Sequence, residues 1–195
     1  MPYLTIVPTW EVGPDHKHSA DDHHWAVMSM FPQKDENDPR SAREQFGVLF
    51  RVEPSPAGER YLIRSLTPPI PTRSSKTKRI SADSGETGRK VAFTATLNTT
   101  IRHGRRAMGL PEEPTIISQW VKDKLADALD VDKVELVKRD VNPSGRQGGG
   151  YIQLDTVIGT ATVNNPDALA LMQAEGVGRA KAFGGGLLLT KPLAA

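Results

Sequence analysis

The sequence predicts an α+β protein made of two ferredoxin-like units (βαββαβ) in tandem, with the second helix of the first unit reduced or missing. In the C-terminal half, strand and helix patterns follow the order strand, helix, strand, strand, helix, strand, which defines this fold. The N-terminal half begins with the same order and then becomes proline-rich. With 195 residues, 37% of them hydrophobic, the chain is long enough for two small domains with their own cores.

The first unit opens with a strand and a helix. Residues 3–9 alternate in polarity and include β-branched side chains, which favours a strand. Residues 19–31 predict a helix, because Ser19 is a good N-cap and Pro32 would stop the run.

A hairpin and a proline-rich link are expected to follow. The charged stretch 33–45 predicts a loop or a frayed turn. Residues 48–53 and 61–66 predict two strands joined by a turn that contains Pro54, Pro56 and Gly58. Residues 67–88 predict an irregular link between domains. The predicted domains are residues 1–80 and residues 88–195.

The second unit shows clearer periodic patterns. Its first strand is rich in Thr, Val and Phe, and Asn165 with Pro166 marks the start of its second helix. The predicted elements are a strand at 90–101, a basic turn at 102–106, an amphipathic helix at 115–129, strands at 134–137 and 151–163, the helix after Asn165, and a strand at 185–189.

Composition excludes several classes of protein. The chain has no cysteine, so disulfides, thiolate metal sites and a cysteine nucleophile are excluded. It has no apolar run that could cross a bilayer and no pattern typical of a secretory signal, so we expect a cytoplasmic protein without a membrane partner.

Basic residues are clustered, although the formal net charge is only +2. Solvated surface strips would explain each cluster singly, but three clusters together favour an anionic partner such as nucleic acid. The clusters are Arg73, Lys76, Lys78 and Arg79; Arg102, Arg105 and Arg106; and Arg179 with Lys181.

A glycine-rich segment lies between the last predicted helix and strand. Glycine lets the backbone approach a ligand closely, so amides could converge on a phosphate while two cations supply charge. The spacing fits neither the dinucleotide fingerprint nor the Walker loop. A simple bend between helix and strand is the alternative. The candidate RNA-binding residues here are Gly176, Gly178, Arg179, Lys181, Gly184, Gly185 and Gly186.

Four of the five histidines lie between Asp15 and His24. A metal site similar to the His-x-His-x-Asp-His motif is one interpretation, but the interval from His18 to Asp21 is one residue too long. A second interpretation makes His24 a general acid or base, because imidazole titrates near neutral pH. The third is that these histidines are solvated near a helix start.

A basic turn follows the first strand of the second unit, in the sequence Asn98-Thr-Thr-Ile-Arg-His-Gly-Arg-Arg106. Arginine donates hydrogen bonds in pairs to phosphate oxygens, so Arg102, Arg105 and Arg106 could enter a groove of folded RNA. A solvated turn is the alternative.

Two segments resemble the CasE family, the repeat-RNA endoribonucleases of Cascade (type I-E) CRISPR systems. They are GVGRAKAFGGGLLLTKPL at the C-terminal side and HHWAVMSMFP in the first helix, with weaker similarity in LFRVEP, YLIRSLTPP and the strand before Asn98. The resemblance implies two ferredoxin-like domains that bind the CRISPR repeat hairpin and cleave at its 3′ base. It also implies that the mature guide RNA stays bound and that the protein joins other Cascade subunits.

The resemblance also implies site residues and a mechanism. Placing the family's Phe-Pro on Phe31-Pro32 puts its catalytic histidine on His24, with His23 as the fallback. Asp21 stands where members carry a tyrosine, and Ser29, a candidate helper, stands where some carry a lysine. The family reaction is attack by the 2′-hydroxyl to give a 2′,3′-cyclic phosphate, with no metal or cofactor. The alternatives are a non-catalytic RNA-binding subunit and a metal-dependent hydrolase that uses the N-terminal histidines.

Overall fold

The chain forms two four-stranded antiparallel sheets and a separate two-stranded hairpin. The computed structural model describes residues 1–13, 19–80, 85–103, 106–144 and 150–193, and the side chains at 102–103, 106–107, 144 and 150 also lie outside its description. The strands are β1 (Tyr3–Pro8), β2 (Leu49–Ser55), β3 (Gly58–Ser65), β4 (Lys76–Arg79), β5 (Lys90–Leu97), β6 (Thr100–His103), β7 (Arg106–Gly109), β8 (Leu129–Ser144), β9 (Gly150–Val163) and β10 (Leu188–Pro192).

Four α-helices and two short 3-10 turns accompany these strands in the described ranges. None of the helices there is long and apolar enough to span a membrane. The helices are α1 (Ala20–Met28), α2 (Ala42–Gln45), α3 (Pro114–Leu125) and α4 (Pro166–Glu175), and the 3-10 turns are Thr9–Glu11 and Lys181–Phe183.

The first sheet has the order β2-β3-β1-β4, with every neighbouring pair antiparallel. Its fourth strand, β4, lies inside the segment predicted to be an irregular link, so that part of the prediction was wrong. The sequence Lys-Thr-Lys-Arg carries no apolar alternation and is fully exposed, and it becomes a strand by pairing its backbone with β1. No helix lies between β3 and β4, which confirms the predicted missing helix.

Helix α1 begins where the sequence predicted. Ser19 caps it, and Ser19 and Asp22 form a reciprocal capping box. The helix ends at Met28, three residues before the predicted end, because the amides of Met30 and Phe31 bond the carbonyls three residues back in tight turns. Helix α2 is a single turn inside a segment predicted to be a loop or a frayed turn, and it has its own capping box.

The second sheet has the order β10-β5-β9-β8, also antiparallel throughout. With α3 between β5 and β8 and α4 between β9 and β10, this confirms the predicted ferredoxin-like unit. Strand β8 is much longer than the predicted 134–137, because it pairs with β9 along its length through two bulges. Helix α3 buries Ile117, Val121 and Leu125 against this sheet.

The two sheets meet through a small apolar contact. Leu49 of the first sheet and Leu187, just before β10, are fully buried together with Leu62. Across the same contact, the guanidinium of Arg51 donates a 2.8 Å hydrogen bond to the hydroxyl of Thr94. The contact brings α1 close to the segment after α4, while the division into domains 1–80 and 88–195 stays a prediction.

Candidate active site

Helix α1 places His24 against the 3-10 turn Lys181–Phe183, inside the glycine-rich segment. The ring centroids of His24 and Phe183 are 6.5 Å apart, and the imidazole also interacts with the backbone of Ala182. His24 and the glycine-rich segment were predicted as functional for different reasons. They lie far apart in the sequence but contact each other in the structure.

The environment of His24 favours a neutral imidazole. The ring is half-buried, and burial lowers the pKa of His24 below the ordinary histidine value, an effect that the cation of Arg43 adds to. The Ala182 backbone and the carboxylate of Asp21 act in the opposite direction without reversing the shift. The Nδ1 atom is buried and makes no hydrogen bond within the described residues, which is uncommon for a buried polar atom.

Two cations lie near this imidazole. Arg43, on the single turn of α2, lowers the pKa of both His24 and Lys181 through its charge, although burial is the larger cause for each. Its guanidinium is mostly buried and contacts the carboxylate of Glu44 at 3.4 Å. The sequence analysis missed Arg43, because it lies in a charged stretch that predicted a loop or a frayed turn. The Ser41-x-x-Glu44 capping box is a signal for the helical turn α2, but not for the contact of Arg43.

His23, the fallback, contacts the first unit and also faces the glycine-rich segment. Its Nδ1 lies 2.9 Å from the hydroxyl of Tyr61, and the two rings meet edge to face. Tyr61 is fully buried, and burial raises the pKa of its hydroxyl. His23 also lines a cavity of about 50 Å³ between the two sheets, together with Lys138 and with Phe183, the residue that also faces His24. Its ring is thus tied to the core of the first unit.

Ser29 is not brought to the imidazole. It lies exposed at the C-terminal end of α1, where its hydroxyl donates a 2.8 Å hydrogen bond to the carbonyl of Ala26. Five residues along an α-helix correspond to a rotation of about 140°, so Ser29 and His24 lie on different faces.

The glycines of the C-terminal segment serve the fold more than a ligand. Gly184, Gly185 and Gly186 are buried, and the amides of Gly185 and Gly186 donate to the carbonyls of Ala180 and Thr96 at 3.0 and 2.6 Å. Gly176 ends α4 with φ +82°, and a Cβ there would lie 2.7 Å from a methyl of Leu49. The surface of the segment is instead formed by Gly178 and Arg179, with Lys181 half-buried.

The basic turn forms the hairpin of β6 and β7. Arg102 and Arg106 belong to its two strands, although their side chains lie outside the described residues, and Arg105 lies outside them entirely. The structure therefore locates this hairpin without showing what its arginines contact.

A buried polar network anchors the hairpin. Asp155, fully buried on β9, accepts hydrogen bonds from Arg139 and from the hydroxyl of Thr99, the residue before β6. Gln153 donates to the hydroxyl of Thr99 at 2.9 Å and to the carbonyl of Leu110, the residue after β7, at 3.1 Å. One side chain thus joins the start and the end of the hairpin. The sequence signal was a carboxylate inside an otherwise apolar and threonine-rich strand.

The metal site considered for the N-terminal histidines falls partly outside the described residues. His16 and His18 lie outside the described residues, and the described ones contain no group of three or more histidine, aspartate or glutamate side chains arranged to hold a metal ion.

Comparison with known proteins assigns the chain to a family. A family described as "CRISPR associated protein" matches residues 4–192. The crystal structure of Cas6e from Escherichia coli K-12 shares 25% identity at a TM-score of 0.73, over 99% of this chain and 100% of that one. None of the curated protein sequences compared with it matches the chain.

Two further structures share the fold. Cse3 of Thermus thermophilus, bound to an RNA that represents a pre-cleavage complex, has 18% identity and a TM-score of 0.76 over 98% of this chain and 99% of that one. A chain of a CRISPR RNA-guided surveillance complex has 18% identity and a TM-score of 0.70 over 98% and 100%. The chain therefore belongs to the CRISPR-associated protein family, as its resemblance to CasE predicted.

Proposed function

We propose that this protein is an endoribonuclease that binds the hairpin of a CRISPR repeat and cleaves the RNA at the 3′ base of that hairpin. The observation that carries the proposal is the contact between the His24 imidazole and the Lys181–Phe183 turn. It joins the predicted catalytic side chain to the predicted RNA-binding segment. The similarity to an E. coli Cas6e and to a T. thermophilus Cse3 bound to RNA supports it.

The proposed reaction uses the substrate's own nucleophile. The ribose 2′-oxygen attacks the adjacent phosphorus, the bond from phosphorus to the 5′-oxygen breaks, and the products are a 2′,3′-cyclic phosphate and a 5′-hydroxyl. Because the nucleophile is already part of the RNA, the protein needs only to align it, move protons and stabilise negative charge. A metal ion has no required role in this scheme.

His24 is proposed to move the proton. Its lowered pKa keeps the imidazole neutral at neutral pH, so that it can accept the proton of the 2′-hydroxyl. The imidazolium that results can pass that proton to the departing 5′-oxygen. Ser29 plays no part in this scheme, because it lies on another face of α1.

Positive charge for the phosphorane is proposed to come from Arg43 and Lys181. The two cations lie close to each other, since the pKa of Lys181 is lowered by burial and by the charge of Arg43. Arg179 and the arginines of the β6–β7 hairpin, Arg102, Arg105 and Arg106, would hold the RNA backbone. We further propose that the cut guide RNA stays bound and that the protein works beside other Cascade subunits, since a similar chain occurs in a surveillance complex.

A cleavage assay on a labelled repeat transcript in EDTA tests the proposal. We expect the protein to cut once at the 3′ base of the hairpin and to leave a cyclic phosphate. His24→Ala should abolish cleavage while binding of the RNA hairpin persists, whereas His23→Ala should still cleave; loss of cleavage in His23→Ala alone would assign catalysis to the fallback. Binding without any cutting would support a non-catalytic RNA-binding subunit instead. Activity that appears only without EDTA would support a metal-dependent hydrolase.

A further inference from the structure

Trp25 is an exposed indole directly beside the His24 imidazole. Its side chain is 69% exposed, and its ring centroid lies 5.8 Å from that of His24 in an edge-to-face arrangement. Tryptophan is highly buried on average, and packing in the core is the usual role of its indole in a helix.

Core packing does not explain the presence of Trp25 on α1. The inner face of α1 is formed by Ala26 and Val27, which are fully buried. The chain before α1 packs directly on Ala26, since a Cβ at Gly13 would lie 2.7 Å from the Cβ of Ala26. Trp25 projects from the outer face of the helix, where a small polar residue would serve the fold equally well.

The indole of Trp25 and the cation of Lys181 approach the neighbourhood of His24 from different elements. Phe183 and the cation of Lys181 belong to the glycine-rich segment, whereas the Trp25 indole leaves toward solvent from the next position on α1. A phosphate placed at the imidazole would meet the cations, and a base attached to a neighbouring ribose would reach the open indole.

We propose that Trp25 stacks on a nucleobase that flanks the cleaved phosphate and holds that nucleotide out of the RNA stack. This inference rests on the proposed function. Attack by a 2′-oxygen needs alignment opposite the leaving 5′-oxygen, and a nucleotide held in a regular helix does not have that alignment. Stacking on an aromatic side chain offsets the loss of stacking within the RNA.

Single-turnover cleavage of a labelled repeat transcript tests this role. Trp25→Ala should slow cleavage about tenfold, in the range that loss of one base-aromatic stack produces, and Trp25→Phe should stay within about threefold of the wild type. Trp10→Ala is the matched control, because Trp10 is also exposed, at 61%, but lies on the Thr9–Glu11 turn. Equal rates for the Trp25→Ala and Trp10→Ala variants would overturn the inference.

Tryptophan emission gives a second readout that does not need cleavage. Repeat RNA with a 2′-deoxyribose at the cleavage position should quench the emission of the wild type and of Trp10→Phe, but much less that of Trp25→Phe. Quenching that persists in Trp25→Phe contradicts stacking. A wild-type protein that neither binds nor cuts the transcript contradicts the proposed function itself, whereas normal cutting with an indifferent Trp25 contradicts only the stacking role.

Discussion

The guanidinium of Arg139 donates two hydrogen bonds, 2.8 and 2.7 Å long, to the fully buried carboxylate of Asp155. The same carboxylate accepts a hydrogen bond from Thr99, so the ion pair sits under the start of the β6–β7 hairpin. A pair of this kind fixes geometry more than it adds stability, because the desolvation of both charges offsets their attraction. The Arg139–Asp155 pair therefore matters mainly because it fixes the position of the β6–β7 hairpin.

Asp155→Ala should destabilise the protein and weaken its binding to the RNA hairpin of the repeat. Removal of the carboxylate leaves the Arg139 charge and the Thr99 hydroxyl without their partner, which we expect to lower the free energy of unfolding by about 3 kcal/mol. Denaturant unfolding measures the first effect, and titration of labelled repeat hairpin measures the second. Asp38→Ala is the control, since Asp38 pairs with Arg40 on the surface, and it should change neither quantity.

The cleavage rate should follow the protonation of His24. Because the pKa of His24 is lowered, the neutral base persists below the ordinary histidine value, and the rate should fall only as the pH drops through that lower pKa. Arg43→Gln removes a cation that lowers this pKa, so the midpoint of the pH-rate profile should move to higher pH. Arg40→Gln, on the exposed side of the same region, should leave the midpoint unchanged.

The free energy of unfolding should also depend on the protonation of His24, and it should decrease as the pH falls. The unfolded chain takes up a proton on this histidine at a higher pH than the folded protein does, so the contribution to stability is complete above the ordinary histidine pKa and declines as the pH falls through the folded one. The unfolding temperatures of the wild type and of His24→Gln should therefore depend on pH in the same way at neutral pH and above, and differently at acidic pH. Parallel curves across the acidic range would contradict this.

Lys181→Ala should slow single-turnover cleavage by about 10- to 100-fold. The half-buried ammonium lies in the turn that contacts His24, and one preorganised positive charge at a developing negative charge typically contributes an effect of this order. Lys191→Ala removes an exposed lysine from the neighbouring strand β10 and should be neutral. Rapid-quench measurement with saturating protein separates the chemical step from binding.

Gly176→Ala should cost more stability than Gly178→Ala. Both glycines have positive φ, at +82° and +74°, so alanine is strained at either position. Only at Gly176 would the new methyl meet a side chain, Leu49, at 2.7 Å. We expect the difference in the free energy of unfolding to be about 1 to 3 kcal/mol, measured in urea. Equal losses would mean that Leu49 moves aside freely.

Local patterns in the sequence predicted the elements that depend on local chemistry. Helix α1 starts at Ser19 because its hydroxyl and the Asp22 carboxylate satisfy the free amides of the first turn, and both residues are visible in the sequence. The Asn165 cap of α4 was predicted for the same reason, and its side chain does accept from Ala168.

Elements that depend on partners elsewhere in the chain could not be predicted. Strand β4 exists because Lys76–Arg79 pairs with β1, and its own side chains give no strand pattern. The contact of Arg43 with the His24 environment depends on how α2 docks, which no local pattern encodes. The segment from Gly176 to Gly186 was predicted to present amides to a ligand, but several of those amides bond Thr96 and other backbone carbonyls.

The contact between α1 and the Lys181–Phe183 turn has a consequence for the order of assembly. His24 and the Lys181–Phe183 turn lie far apart in the sequence, and contacts between distant segments form slowly because a long loop must close first. The pocket becomes complete only when β10 has added to the second sheet. A chain that has folded its first sheet but has not yet added β10 to the second therefore carries the histidine without the surface that opposes it.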